Sequence, residues 1–173
     1  VMIHDIDLIL SFVNSPIKDI HASGIGILTP SIDIANARIE FENGAIANVT
    51  SSRVSLKQER KIRFFQKDCY ITLDFNTKQA RVIKKSANVM KYLPKILMGA
   101  TDIDPEKLVD QQLYDCTDSP KDALTMELES WVKAIIEDRK PVVDGYAGTK
   151  ALEVAVQIIK IIDEQVKKSK IKV

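Results

Sequence analysis

The stretch Ala35-Asn36-Ala37-Arg38-Ile39-Glu40-Phe41-Glu42-Asn43-Gly44-Ala45-Ile46-Ala47-Asn48-Val49 decides how this chain folds. From Ala35 to Phe41 apolar and polar residues alternate, the period-two pattern of a strand with one buried face. Glu42-Asn43-Gly44 then predicts a three-residue hairpin loop, a type I turn closed by Gly44 in the left-handed region. That loop sets Phe41 opposite Ala45, Ile39 opposite Ala47 and Ala37 opposite Val49, so large and small side chains share one face. A two-residue Asn-Gly turn instead sets Glu40 against Ala47 and mixes the faces, which argues against it.

Upstream, Ile3, Ile6, Leu10 and Val13 fall on one stripe of a short amphipathic helix. It stops near Asn14, because a residue before proline, here Ser15 before Pro16, disfavours helical geometry. Ile17 to Leu28 reads as a strand with small residues interleaved, broken at Thr29-Pro30-Ser31. Downstream, strands are predicted at Lys61 to Phe65, Cys69 to Phe75 and Gln79 to Lys84, separated by Gln66-Lys67-Asp68 and Asn76-Thr77-Lys78. Together these make five or six strands of a mostly antiparallel meander. Ser86 to Asp118, interrupted by Pro94, Gly99 and Pro105, reads only as loop with room for one further strand or helix.

The last third is helical. Ser119 is placed as an N-cap, Pro120 as the first helical residue and Asp122 as the closing residue of a capping box. Leu124, Leu128, Trp131, Val132, Ile135 and Ile136 then repeat at helical spacing, which assigns Trp131 to the core, and Pro141 follows the end. A second helix is predicted from about Thr149, after Asp144-Gly145-Tyr146-Ala147-Gly148. Its apolar arc is wide enough to require cover on two sides, from the sheet and from a neighbouring helix. The fold class is α+β.

With 25 Lys and Arg against 24 Asp and Glu, the net charge of +1 offers no field to gather nucleic-acid phosphates. Five lysines between Lys160 and Lys172 suit the negative end of a helix dipole. The longest run without a charged residue, Ile20 to Ile32, has 13 residues and is too short to span a bilayer as a helix. Cys69 and Cys116 stand 47 residues apart without metal-ligand spacing, and read as two free, buried thiols of a cytoplasmic protein. At 173 residues one sizeable core is possible, and a single domain over 1–173 is expected. The opening Val1-Met2-Ile3-His4 is neither a start nor a signal peptide, and reads as a piece cut from a longer polypeptide.

A nucleotide cradle is missing from the sequence. Gly24-Ile25-Gly26 lacks the third glycine and leads to Thr29-Pro30 instead of a helix start, so its glycines read as places in a strand where another backbone or a ring comes close. No P-loop, nucleophile elbow or zinc-protease motif occurs. Of the two histidines, His21 reads as structural or exposed, with no acid at useful spacing. His4 has Asp5 adjacent and Asp7 one helical turn onward, so a carboxylate can orient the imidazole for proton transfer. Asp144 and Tyr146 stand where a sugar hydroxyl could be bound, or where Asp144 serves turn and cap. Arg38 and Arg53 are expected to form surface or interface ion pairs.

The His4-Asp5-Ile6-Asp7 helix, Ala22-Ser23-Gly24, the run from Asp33 to Ala47, Ser51-Ser52-Arg53 and Asp144 to Val154 resemble the C-terminal domain of the Gfo/Idh/MocA oxidoreductases, the group of glucose-fructose oxidoreductase and inositol dehydrogenase. The resemblance spans nearly the whole chain apart from Ser86 to Asp118. It implies an open, mostly antiparallel sheet with helices on one face, the dihydrodipicolinate reductase-like or glyceraldehyde-3-phosphate dehydrogenase-like C-terminal fold. It implies that a separate N-terminal Rossmann domain, absent from this sequence, binds NAD or NADP, and that the sheet's other face joins subunits into a homo-oligomer.

It further implies that His4 matches the His of an Asp-x-x-x-His motif that takes part in proton transfer, the Asp standing just before Val1. His4 with Asp7 is then the expected catalytic pair and Asp144 with Tyr146 the expected substrate-binding pair, with no metal. The expected function is the substrate-binding domain of an NAD(P)-dependent oxidoreductase acting on a sugar, nucleotide sugar or polyol, inactive and free of cofactor by itself. No nucleic-acid or membrane partner is expected. The alternatives are a scaffold module without catalysis and an NAD-dependent glycoside hydrolase of the same family.

Overall fold

The computed structural model describes residues 2–56, 59–99, 104–117 and 121–169. They form two compact units, one from the chain up to Leu56 and from Glu127 onward, the other Lys57–Met126. The chain is α+β, as its patterning requires.

In the first unit, helix α1 (Met2–Phe12) is followed by the antiparallel strands β1 (Ile17–Ile25), β2 (Ile34–Phe41) and β3 (Ile46–Ser52), which lie in the order β1-β2-β3. The β2–β3 register is the expected one, with Ile39 opposite Ala47 and Ala37 opposite Val49. Gly44 has φ +84°, its N–H donates to the Phe41 carbonyl at 3.0 Å, and the Phe41 N–H donates to the Ala45 carbonyl at 2.9 Å. The loop is held from outside too: Ser15 Oγ accepts the Asn43 N–H at 3.1 Å.

The sequence did not announce a bulge in β1. Ile17 pairs with Phe41 but Asp19 pairs with Glu40, so one extra residue, Lys18, interrupts the ladder. The insertion resets the parity of the strand and lets Ile17 and Ile20, three residues apart, both face the core.

Ile6, Ile20, Ala37, Ile39 and Phe41 meet Ala151, Val154, Ile158 and Ile162 of the last helix, α4 (Gly145–Ser169), in one buried cluster. α4 is therefore covered by the sheet and by a neighbouring helix, α1, as its wide arc demands. Both glycines of β1's end meet close neighbours. A Cβ on Gly24 would lie 3.0 Å from Ile162 and Ile32 side-chain carbons, and one on Gly26 would lie 2.5 Å from the Thr29 carbonyl oxygen and 2.7 Å from that of Ser31. The Gly26 obstacles are backbone atoms, so Gly26→Ala is expected to displace the loop 27–33 and lower the melting temperature of this unit, whereas Ile32 and the flexible Ile162 can yield more readily to Gly24→Ala. Thermal melts of the two variants check the order.

The second unit is a four-stranded antiparallel sheet, β4 (Lys61–Gln66), β5 (Cys69–Asp74), β6 (Gln79–Lys85) and β7 (Val109–Asp115), in that order. The expected antiparallel pairing holds throughout, and among the described residues the strands hydrogen-bond as two sheets. Asp74 Oδ1 accepts the Asn76 and Thr77 N–H groups at 3.0 and 3.2 Å, and Lys78 takes φ +52° to close the β5–β6 turn. The stretch read only as loop with one further strand or helix contains helix α2 (Val89–Leu97), a 3₁₀ turn (Pro105–Lys107) and β7.

Helix α3 (Ala123–Ile136) starts later than the sequence placed it. Asp122 is itself the cap, its Oδ1 accepting the Thr125 N–H at 2.8 Å, while Ser119 and Pro120 lie outside the described residues. The assignment of Trp131 to the core does not hold, because Trp131 is 57% exposed. Leu128 and Ile135 on the same stripe are exposed as well, and only Ala134 of α3 is buried. Helical spacing shows that an apolar face exists without showing what covers it. Cys116 is likewise exposed, not buried, and Cys69 is half-buried. Cys116 follows an edge strand whose residues are all exposed.

Candidate functional site

His4 stands in the first turn of α1. Ile6 is fully buried, and Ile3, Ile9 and Leu10 pack on the core, which turns that side of the helix inward. His4 lies off this stripe and is exposed, with Asp7 half-buried. No hydrogen bond or ion pair joins His4 to Asp7 among the described residues. The pair therefore presents an imidazole at the surface with a carboxylate on the next turn.

Asp144 and Tyr146 stand at the start of α4, which begins at Gly145, earlier than the expected Thr149. Asp144 is the cap, its Oδ1 accepting the Ala147 N–H at 2.9 Å. Tyr146 is exposed, with Lys150 Nζ 4.5 Å from its ring centroid. α1 and α4 touch, but no hydrogen bond or ion pair links the His4 pair to the Asp144 pair among the described residues.

His21 is exposed, and its Nε2 lies 3.0 Å from Asp19 Oδ2. This corrects the reading that no acid stands at useful spacing: residues two apart on a strand share a face, and that period was not applied to Asp19. Arg38 Nε binds Glu40 Oε1 at 2.9 Å, the expected surface ion pair.

The most ordered polar cluster surrounds Asp33, a residue the sequence reading did not single out. Asp33 is 4% exposed. Its Oδ2 accepts the backbone N–H groups of Ile27, Leu28 and Thr29 at 2.8, 2.7 and 3.0 Å, and its Oδ1 accepts Arg53 Nη2 at 2.7 Å. The signal was an acid two residues beyond Thr29-Pro30-Ser31, placed to collect the turn's free N–H groups.

Those backbone donors, Ile27 first and then Thr29 and Leu28, hold the Asp33 carboxyl far below its ordinary value of 3.8. A depressed folded-state value contributes stability that is whole above 3.8 and drains away as the pH falls from there toward the folded-state value. Denaturant melts on either side of pH 3.8 are expected to show that loss, and Asp33→Asn is expected to flatten it while lowering stability at neutral pH.

Between α4 and the ends of β2 and β3 lies a cleft of roughly 480 Å³. It is lined by Ile158, Ile159 and Ile162 of α4 and by Met2, Ile32 and Ala35, and Ser31, Ser51, Arg53 and Asp163 are among its polar residues. Met2, two residues before His4, ties this cleft to the start of α1. Gly24 and Gly26 are closed over by the chain's own atoms, so their Gly-x-Gly offers no cradle for a phosphate. No group of three or more His, Cys, Asp or Glu among the described residues could hold a metal ion, and no described helix is long and apolar enough to cross a membrane.

Comparison with known proteins places this geometry. Residues 1–72 match the family model described as the GFO/IDH/MocA C-terminal domain. The chain is 30% identical over 157 residues to the UDP-N-acetylglucosamine 3-dehydrogenase of Acidithiobacillus ferrooxidans, a match that covers 91% of this chain and 45% of that protein. A crystal structure of that organism's UDP-N-acetylglucosamine 3-dehydrogenase GnnA superposes with TM-score 0.78 at 29% identity, covering 94% of this chain and 47% of the other. The WlbA dehydrogenase from Bordetella pertussis, solved in complex with NADH and UDP-GlcNAcA, shares the fold with TM-score 0.60 at 14% identity, over 95% of this chain and 42% of its own. The chain thus spans about half the length of these relatives. Helices α1 and α4 packed on a three-stranded meander agree with these matches, which show the chain to be similar over residues 1–72 to the GFO/IDH/MocA C-terminal domain.

Proposed function

We propose that this chain is the substrate-binding and oligomerisation domain, over 1–173, of a cytoplasmic NAD(P)-dependent dehydrogenase acting on a nucleotide sugar. The observation that carries the reading is the 30% identity across 91% of the chain to a UDP-N-acetylglucosamine 3-dehydrogenase. The exposed His4 on α1 supports it.

Oxidation of a secondary alcohol removes a hydride from carbon and a proton from the hydroxyl. A nicotinamide, held by another part of such a polypeptide, supplies the hydride acceptor. This chain's task is the proton. His4, with Asp7 on the next turn and Asp5 beside it, takes the hydroxyl proton as general base and returns it in the reverse direction. Asp144 and Tyr146 offer an acceptor and a hydroxyl to sugar groups at the start of α4. The outer face of β1–β3, where Asp19, His21, Arg38 and Asn48 are exposed, is the face assigned to contact between subunits.

The test is a polypeptide joining this chain to the dinucleotide-binding half of a relative, incubated with NAD or NADP and UDP-N-acetylglucosamine. Absorbance at the wavelength of the reduced cofactor is expected to rise. Cleavage of an aryl glycoside without accumulation of reduced cofactor would move the assignment to a hydrolase, and inertness toward all sugars would leave a scaffold.

A further inference from the structure

The cleft beside Arg53 has chemistry that the proton-transfer role of His4 does not use. Arg53 is fixed at one corner only. Its Nη2 donates to Ser31 Oγ at 2.7 Å, Ile32 O at 2.9 Å, Thr29 Oγ1 at 3.2 Å and Asp33 Oδ1 at 2.7 Å. The Nε and Nη1 donors make no hydrogen bond among the described residues, and the side chain is 49% exposed. A guanidinium held in this way is a preorganised pair of donors, because the entropy of fixing the long side chain is lost on folding and not on binding.

Asp163 of α4, which lines the same cleft, is exposed and makes no hydrogen bond or ion pair among the described residues. An ionised carboxylate only accepts, so its partner must bring an N–H or O–H. The apolar side chains of Ile158, Ile159 and Ile162 that line the cleft suit the face of a flat ring. Charge narrows the choice. Two carboxylates, Asp33 and Asp163, stand against one guanidinium, so a phosphate finds no net attraction here, while a neutral ring with carbonyl acceptors beside an N–H meets both edges. The volume, roughly 480 Å³, is in the range of small-molecule sites.

We propose that this cleft seats the base of a nucleotide sugar, a planar cyclic imide of the uracil type, with a ring carbonyl on Arg53 and the ring N–H on Asp163. The assignment rests on the nucleotide-sugar reading above. Met2 borders the cleft and stands in the same first turn of α1 as His4, so the cleft and the imidazole lie at one end of that helix.

Uridine titrated into this chain, followed by amide chemical shifts, tests the seat. Shifts are expected at Arg53, Ile159 and Asp163. 3-Methyluridine, which lacks the ring N–H, and the variants Asp163→Ala and Arg53→Lys are each expected to bind about tenfold more weakly, the worth of one hydrogen bond to a charged group. Asp163 is exposed on a helix, so its variant keeps the fold even if Arg53→Lys loosens the loop. Inorganic phosphate is expected to leave the cleft's shifts unchanged. Equal binding of uridine and 3-methyluridine, shifts mapping elsewhere, or no uridine binding would overturn the proposal. If that happens while the joined polypeptide oxidises UDP-N-acetylglucosamine, only the base seat fails. Uridine bound in the cleft of a protein that oxidises no nucleotide sugar keeps the seat and removes the dehydrogenase.

Discussion

His4→Ala, in a polypeptide joining this chain to a dinucleotide-binding half, is expected to lower kcat for sugar oxidation by about 10²- to 10⁴-fold, the usual contribution of a positioned general base. The side chain is exposed on α1, while the inward side of that helix is held by Ile6, Ile3 and Leu10. Its removal leaves no cavity, so the melting temperature is expected to stay within the range of ordinary surface changes. KM is expected to move little, because the proton is transferred in the transition state and the interaction is not one of ground-state binding. Free imidazole added to the variant is expected to restore part of the rate, which a merely structural role for His4 would not allow. Unchanged kcat in the variant would remove His4 from the chemistry. Asp7→Asn is expected to have a smaller effect on kcat than His4→Ala, because Asp7 acts only by orienting or polarising the imidazole.

Phe41→Ala is the second large effect, expected to cost about 3–5 kcal/mol of unfolding free energy. Phe41 is 1% exposed, at the end of β2, where its backbone also closes the hairpin to Ala45 and Gly44. It packs in the cluster of Ile6, Ile39, Ala151 and Ile158, and these partners belong to α1, the sheet and α4, none of which can collapse into the vacated volume without breaking the others' contacts. Phe65→Ala is the internal control. Phe65 is 79% exposed and stacks on Tyr70, at 5.0 Å between centroids, so its loss is expected to cost about 1 kcal/mol or less. Urea denaturation of both variants checks the contrast, and equal costs would mean that the buried cluster does not hold the first unit together.

The parts of the fold that were legible in the sequence are those whose causes are local. Alternation from Ala35 to Phe41 and the need for a left-handed residue at Gly44 fixed the β2–β3 register residue by residue, since a slip of one would have turned Ile39 outward. Gly26 is approached by backbone, as expected of a glycine without a ligand motif, whereas Gly24 is approached by the aliphatic side chains of Ile162 and Ile32 and not by a backbone or a ring.

What was not legible depends on partners far along the chain. The bulge at Lys18 follows from the need of both Ile17 and Ile20 to reach α1 and α4, which no window of β1 contains. β7, Val-Asp-Gln-Gln-Leu-Tyr-Asp, is an exposed edge strand with no alternating pattern, and it exists because β6 offers it a ladder. Pro94 argued against α2, yet the helix accommodates it. At the site, the resemblance pointed to His4 and the residues alone could not have raised it above a surface histidine. Asp33, which organises the loop bordering the cleft, was hidden because its partners are backbone N–H groups, and these have no signature in side-chain type.

The central claim is that this chain supplies the proton-handling and substrate-facing surfaces of a dehydrogenase while the dinucleotide is held elsewhere. Titration of NADH into the 173-residue chain, followed by nicotinamide fluorescence, tests it most directly. The account predicts a linear rise in signal with no saturation, the same as in buffer. A saturable enhancement with tight, stoichiometric binding would contradict it.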